Sequence, residues 1–134
     1  MAANPEIFEQ KLKVEQSHLD EQNHVNNVQY VQWVQDVAKA HWESRAPREF
    51  QEKYFWVVVR HEIDYKKQAF LNEEILLQTY VSETTHVKSI RHVIIKNAKT
   101  GKVLVEAKTT WALIDKQIQK PAKIAEDLKK IFEQ

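Results

Sequence analysis

Apolar and polar positions along this chain follow two different periods, and the change from one to the other marks its elements. From residue 28 to about residue 43, polar Gln29, Gln32, Asp36, Lys39 and Glu43 recur at helical spacing. Tyr30, Val31, Trp33, Val34, Val37, Ala38, His41 and Trp42 fill the remaining, wider sector, which predicts a long and mostly buried helix. Ala46-Pro47 ends it, because the residue before a proline avoids the α region and the proline brings no N–H. Four segments rich in β-branched and aromatic residues follow, at 54–65, 74–82, 87–96 and 102–115. Val57, Val59, Ile63 and Tyr65 share one parity, as do Val103, Val105, Trp111 and Leu113, so each strand is expected to turn those residues toward a core. Asn97-Ala98-Lys99-Thr100-Gly101 supplies a hairpin turn, with a glycine where a positive φ is useful. A less regular strand opens the chain at 8–17, with Phe8, Leu12 and Val14 among charges, and Pro121, Ile124, Leu128 and Ile131 or Phe132 predict a short amphipathic helix at the end. The order is β, long helix, four β, short helix. A single apolar helix beside a consecutive antiparallel run can bury itself only against that sheet, which makes the expected class α+β.

Composition narrows the chemistry. The 134 residues fit one domain, 1–134, and 43% hydrophobic with 29% charged residues describe a chain able to fold. Twenty Lys and Arg nearly cancel 19 Asp and Glu, leaving +1, so the broad basic field of a nucleic-acid binder is missing and no nucleic-acid partner is expected. The absence of cysteine excludes a disulfide framework, a thiol nucleophile and thiolate metal sites. With Gly101 as the one glycine, neither a P-loop nor a dinucleotide loop can be built. No apolar run approaches the roughly 20 residues that cross a bilayer. Met1 to Gln10 carries Glu6 and Glu9 in place of a basic start and apolar core, so no membrane partner is expected and the chain reads as cytoplasmic. His18, His41, His61 and His92 lack metal-ligand spacing, so no metal is expected. His61 shares parity with the core side of its strand and reads as a hydrogen-bonded core or interface residue.

One loop could carry a reaction. Asp20 lies in the polar stretch Leu19-Asp20-Glu21-Gln22-Asn23-His24-Val25-Asn26-Asn27, immediately before a helix whose first N–H groups are unsatisfied and partly positive. A carboxylate facing such donors across a cleft can serve acyl transfer, as nucleophile or base, while the donors stabilise the oxyanion. The same spacing admits a solvated loop carboxylate, with Asn26 or Asn27 capping the helix.

The run Ser17-His18-Leu19-Asp20-Glu21-Gln22-Asn23-His24-Val25-Asn26-Asn27-Val28-Gln29-Tyr30 resembles the signature of hotdog-fold thioesterases of the 4-hydroxybenzoyl-CoA thioesterase type: an Asp, two spacers, usually Gly, then His-Val-Asn-Asn leading into a central helix. Glu62-Ile63-Asp64-Tyr65-Lys66-Lys67 before Glu73-Glu74, the Lys88-Ser89 pair, and Ala107-Lys108-Thr109-Thr110-Trp111-Ala112-Leu113-Ile114-Asp115 look like the later strands of that family, so the likeness covers nearly the whole chain. It implies a hotdog fold, a five-stranded antiparallel sheet wrapped around one long central helix, in a homodimer or homotetramer with active sites at the subunit interface. It also implies an acyl-CoA thioesterase that needs no cofactor, releasing free acid and CoA. Carried over by position, Asp20 is the catalytic carboxylate, the backbone amide of Asn27 polarises the thioester carbonyl, and His24 and Asn26 shape the loop. Lys88, Ser89 and His86 fall where such proteins meet CoA, and Trp33, Trp42 and Trp56 either border an acyl tunnel or belong to the core. Two alternatives share these residues: an acyl carrier protein thioesterase, and a non-catalytic acyl-CoA binding protein. Two positions depart from the family pattern, Asn23 in place of glycine and Gln68 in place of proline; asparagine tolerates a left-handed backbone, so the turn is expected to survive.

Overall fold

Asn26 starts the long helix, its side chain accepting the Val28 N–H at 2.9 Å, and the helix α1 then runs Asn27–Arg45. The computed structural model describes residues 4–134; the expectation drawn from Met1 to Gln10 rests in part on residues 1–3, outside the described residues. Tyr30, Trp33, Val34, Val37, Ala38, His41 and Trp42 are all buried, the sector that the polar spacing left free. The strands are β1 (Phe8–Lys13), β2 (Tyr54–Tyr65), β3 (Glu74–Thr84), β4 (Lys88–Asn97), β5 (Val103–Asp115) and a two-residue β6 (Lys120–Pro121). They form one antiparallel sheet in the order β1-β3-β4-β5-β2, with β6 beside the end of β5. A short helix α2, Arg48–Lys53, which the periodicity did not predict, links α1 to β2, and α3, Glu126–Lys130, is the expected terminal helix.

The alternation in β3 and β4 is regular: Ile75, Leu77 and Thr79, and Ser89, Arg91, Val93 and Ile95, are buried on the inner face. In β2 it is broken. The register against β5 shifts between Val58 and Arg60, so Trp56 lies opposite Leu113 and Val58 opposite Trp111, whereas His61, Ile63 and Tyr65 lie opposite Thr109, Ala107 and Val105. The expectation that Val57 and Val59 share the inner face with Ile63 is therefore corrected: a bulge at Val59 inserts one residue and reverses the parity, and Val59 is 51% exposed. The turn between β4 and β5 forms as expected, with Gly101 at φ 75° and its N–H bonded to the Asn97 carbonyl at 2.9 Å.

Two apolar clusters hold the helix to the sheet. Around its first half, Tyr30, Trp33, Val34 and Val37 pack with Val14, Ile75, Leu77, Val93, Ile95 and Val105. Around its far end, Trp42 and Ala46 pack with Leu113 and with Ile124, Leu128 and Phe132 of the terminal segment. At ~25 cal/mol per Å² of buried apolar surface, each buried aromatic is among the largest single contributions to this packing. Among the described residues no helix is long and apolar enough to cross a membrane. The buried Tyr30 hydroxyl accepts the Ala69 N–H at 3.0 Å and ties the start of α1 to the loop after β2. Tyr30→Phe leaves that buried N–H without a partner and is expected to cost about 1–3 kcal/mol, read as a lower urea midpoint at unchanged m-value.

Candidate functional site

The loop before α1 is a small closed hairpin. Leu19 and Val25 form a bridge, the Asp20 N–H bonds the His24 carbonyl at 2.8 Å, and the Asn23 N–H bonds the Asp20 carbonyl at 3.1 Å. Asn23 takes φ 62°, so the left-handed turn survives the replacement of glycine. Asp20 Oδ1 accepts two main-chain N–H groups, from Gln22 at 2.8 Å and His24 at 3.2 Å, which fixes the carboxylate while its Oδ2 receives no hydrogen bond among the described residues. The Asn26 N–H bonds the His18 carbonyl at 3.0 Å and delivers the chain into α1. Asn27 is the first helical residue, and its N–H makes no hydrogen bond among the described residues. His24 is half-buried and packs edge-on against Phe70, centroids 5.3 Å apart, which suits a role in shaping the loop. The structure thus gathers Asp20, His24, Asn26 and Asn27 into one element.

Lys88, Ser89 and His86 form a separate group. Tyr30, near the start of α1, meets Tyr65 at the end of β2, whereas Trp42 meets Trp56 at the beginning of that strand. Ser89 lies opposite Trp111, which in turn pairs with Val58, so this group lies toward the far end of α1, about 20 Å along the helix from Asn27 at ~1.5 Å per residue. Lys88 and His86 are exposed at the turn between β3 and β4, and Ser89 is buried. Beside them a cavity of about 500 Å³ opens between α1 and the sheet, lined by Trp42, Trp56 and Trp111 among others. Neither this cavity nor a shallower one on the outer face of the sheet is lined by Asp20 or Asn27. Trp33 belongs to the core, while Trp42 and Trp56 border the cavity. His61 Nδ1 lies 2.9 Å from Thr109 Oγ1, so it is the hydrogen-bonded residue its parity predicts, and burial lowers its pKa. Among the described residues no group of three or more His, Asp or Glu is arranged to hold a metal.

A buried polar chain runs beneath the cavity, and the sequence reading missed it. Arg91 Nη1 donates to His41 Nδ1 at 2.9 Å and to Thr79 Oγ1 at 3.1 Å; on its other side, His41 Nε2 lies 2.7 Å from Glu6 Oε1. An arginine has no acceptor, so Nδ1 must accept and Nε2 must carry the proton that goes to Glu6: the imidazole is neutral and its tautomer is fixed. Burial pushes His41 down to about 4; the bond to Glu6 works against that shift and the neighbouring Arg91 charge adds to it. Glu6 is held below its usual value because the bonds from His41 and Arg45 outweigh its partial burial. Arg91 could have been noticed from sequence as a charge at an inward parity, between Ser89 and Val93.

One antiparallel sheet closed over one long helix, with a polar loop at the helix start, defines the hotdog architecture, and solved structures bear this out. A putative oleoyl thioesterase from Lactobacillus plantarum superimposes with a TM-score of 0.87 at 15% identity, covering 97% of this chain and 52% of that one. A 1,4-dihydroxy-2-naphthoyl-CoA thioesterase from Synechocystis does so at 0.82 and 15%, covering 95% and 96%. The long-chain acyl-CoA thioesterase FadM of Escherichia coli is 26% identical over 132 residues, covering 92% of this chain and 96% of FadM. The model of the acyl-ACP thioesterase N-terminal domain matches residues 5–132, and the chain belongs to that family.

The buried chain makes stability depend on pH in a defined direction. The folded pKa of His41, about 4, lies below the unfolded 6.5, so the unfolded state takes up the proton first as pH falls. Stability is expected to drop between pH 6.5 and about 4, with a slope approaching ~1.4 kcal/mol per pH unit, and Glu6 adds a loss in the same direction below 4.5. Urea midpoints across this range should show the slope in the wild type and a flatter profile in His41→Gln; an equal slope in both assigns the effect to other groups.

Proposed function

We propose that this chain hydrolyses acyl-CoA thioesters, with Asp20 as nucleophile or general base and the Asn27 amide as the donor to the thioester carbonyl. The observation that carries the reading is the pair of unanswered groups in one rigid loop: Asp20 Oδ2, and the first N–H of a 19-residue helix. As a nucleophile, Asp20 displaces the CoA thiolate from the thioester carbon and forms an acyl-aspartyl anhydride that water then opens; as a base, it takes a proton from the attacking water, and the C–S bond breaks as the tetrahedral intermediate collapses, the thiolate leaving with a proton as free CoA. In both routes the carbonyl oxygen gains negative charge, and a helix-start N–H stabilises it without having to reorganise. Membership of a thioesterase family supports this reaction class, and FadM, similar over nearly its whole length, is an acyl-CoA thioesterase by name.

The family model also favours a second reading, hydrolysis of acyl groups from acyl carrier protein. A partner of that kind is acidic and asks for a basic docking surface, whereas the chain carries a net +1. The two readings separate by kcat/KM for a CoA thioester against the carrier-protein thioester of the same acid: a preference for the carrier that weakens with salt selects the second. A protein that binds acyl-CoA without hydrolysing any thioester would instead be the non-catalytic module.

The site is proposed to be completed by a second copy of this chain. β2 pairs with β5 on one edge only, and its other edge is unpaired among the described residues. Antiparallel pairing of two such edges about a two-fold axis sets the end of β2 in one copy against its beginning in the other. The Asp20 loop of each copy then approaches the cavity of its neighbour, while the exposed Lys88 and His86, outside the cavity lining, are proposed to receive CoA, and Ser89 closes the cavity wall next to them.

Asp20→Asn is expected to abolish turnover while leaving the melting midpoint close to wild type. Asn27→Pro is the sharper probe of the amide. Proline is favoured at the first helical position, and Asn26 already has the extended backbone (φ −64°, ψ 136°) that a following proline prefers, so the helix survives while its one catalytic N–H is lost. A kcat lower by roughly 100- to 1,000-fold is expected, and unchanged kcat removes the amide from the mechanism. Mixing inactive Asp20→Asn with a chain whose cavity mouth is blocked by Gln35→Trp should restore about a quarter of wild-type activity on random exchange of subunits, because one site in each mixed dimer is intact. No recovery places the whole site within one copy.

A further inference from the structure

The cavity beside α1 is walled by aromatic side chains, Trp42, Trp56, Trp111 and Phe132, and these surround an uncompensated charge. Arg91, also in its lining, is 5% exposed, and no carboxylate of the described residues lies within 4.0 Å of its guanidinium. Its hydrogen bonds among the described residues all leave from Nη1, toward His41 and Thr79, so Nε and Nη2 have no partner there. Glu6 reaches it only through the neutral imidazole of His41 and shares its own charge with Arg45 at 2.8 Å. Of the acids that line the cavity, Asp36 accepts from Gln32 and stands with Glu43 on the exposed side of α1. Trp56 and Trp111 each bury an indole Nε1–H with no acceptor. Buried cations are ordinarily paired, and buried N–H groups ordinarily bonded. The inner wall of this cavity therefore holds one buried charged donor, Arg91, without a counter-ion among the described residues; the other cations in its lining, Lys39 and Lys116, are exposed, and the two indole N–H groups lie sealed behind its surface.

We propose that the cavity takes the far end of an acyl group that terminates in a carboxylate, with Arg91 as its counter-charge and the tryptophan and phenylalanine rings around its methylene chain. Arg91 is then the residue that determines acyl specificity, selecting dicarboxylic mono-thioesters over unsubstituted acyl chains. The proposal rests on the thioesterase reading and goes beyond it in naming the acyl class.

The test uses matched pairs of CoA thioesters, each pair sharing a chain length and differing only in an ω-carboxylate, at short, medium and long lengths. Wild-type enzyme is expected to favour the ω-carboxy member of at least one pair by roughly 10- to 100-fold in kcat/KM, the factor that one charge-assisted hydrogen-bonded contact supplies. Arg91→Met should lose that preference while still hydrolysing the unsubstituted member, and Arg91→Lys should keep part of it. If Arg91→Met does not fold, the wild-type ratio decides alone. A second readout needs no turnover: free dicarboxylic acids, titrated against the fluorescence of the cavity tryptophans, should bind more tightly than monocarboxylic acids of equal length. An active wild-type enzyme that treats both members alike, or prefers the unsubstituted one, overturns the proposal. Absence of turnover on every thioester overturns the thioesterase reading instead, and the fluorescence titration then judges the cavity by itself, equal binding of the two acid series counting against it.

Discussion

Everything in this molecule follows from having one long helix with a wide apolar sector and a single sheet to cover it. Seven side chains of α1 are buried, including Trp33 and Trp42, and among the described residues no second helix of comparable length shares the task. The strands accordingly alternate closely on their inner face, and the order β1-β3-β4-β5-β2 places the longest, β2 and β5, side by side. A sheet covers the middle of a helix better than its ends. The two ends of α1 are closed by different means: the Asp20 hairpin and Tyr30–Ala69 bond at the start, and Ile124, Leu128 and Phe132 at the finish. The open groups lie at these ends too: at one the Asn27 N–H, without a hydrogen bond among the described residues, and at the other the cavity.

What the sequence revealed, and what it hid, divides along the range of the interactions. The helix and the four later strands were legible because a helical period and a run of β-branched residues are properties of neighbours along the chain. Asn23 was legible for the same reason, since tolerance of φ 62° belongs to the residue itself. The bulge at Val59 was not, because 57, 59, 63 and 65 share a parity in sequence, and only the pairing with β5 shows that one residue is skipped between Val58 and Arg60. The six-residue helix α2 was hidden for another reason: it buries no residue completely and so leaves no apolar stripe to read. The Asp20 loop was found through resemblance; its spacing alone admitted a solvated carboxylate. The buried chain from Glu6 to Arg91 joins residues 85 positions apart in sequence, and no local pattern announces it.

That buried chain shows how the termini of the molecule enter its energetics. The Glu6 N–H bonds the Phe132 carbonyl at 2.9 Å, and the Phe132 ring lies 4.9 Å from the Arg91 guanidinium and 4.8 Å from the His41 ring. Phe8 stacks on the other side of His41 at 4.9 Å. The segments near the two ends of the chain therefore meet over one imidazole and keep water from it. A neutral imidazole suits that place, because it can accept from a guanidinium and donate to a carboxylate at once, which neither an aliphatic side chain nor a charged one can do. Replacing His41 by an apolar residue would leave the Arg91 Nη1 donor with Thr79 alone and leave Glu6 with Arg45 alone.

The separation of the Asp20 loop from the cavity is a further consequence of the single-sheet design. Because α1 runs antiparallel to β2, the helix start stands over the end of that strand and the cavity over its beginning. A strand edge is a directional object, and two identical antiparallel edges meet head to tail. Under the proposed pairing, a distance of about 20 Å within one copy, at ~1.5 Å per helical residue, becomes a neighbouring position between two copies. The fold would then need no additional element to bring its carboxylate to its cavity, because under that pairing the edge of β2 left unpaired among the described residues would also be the feature that completes the site.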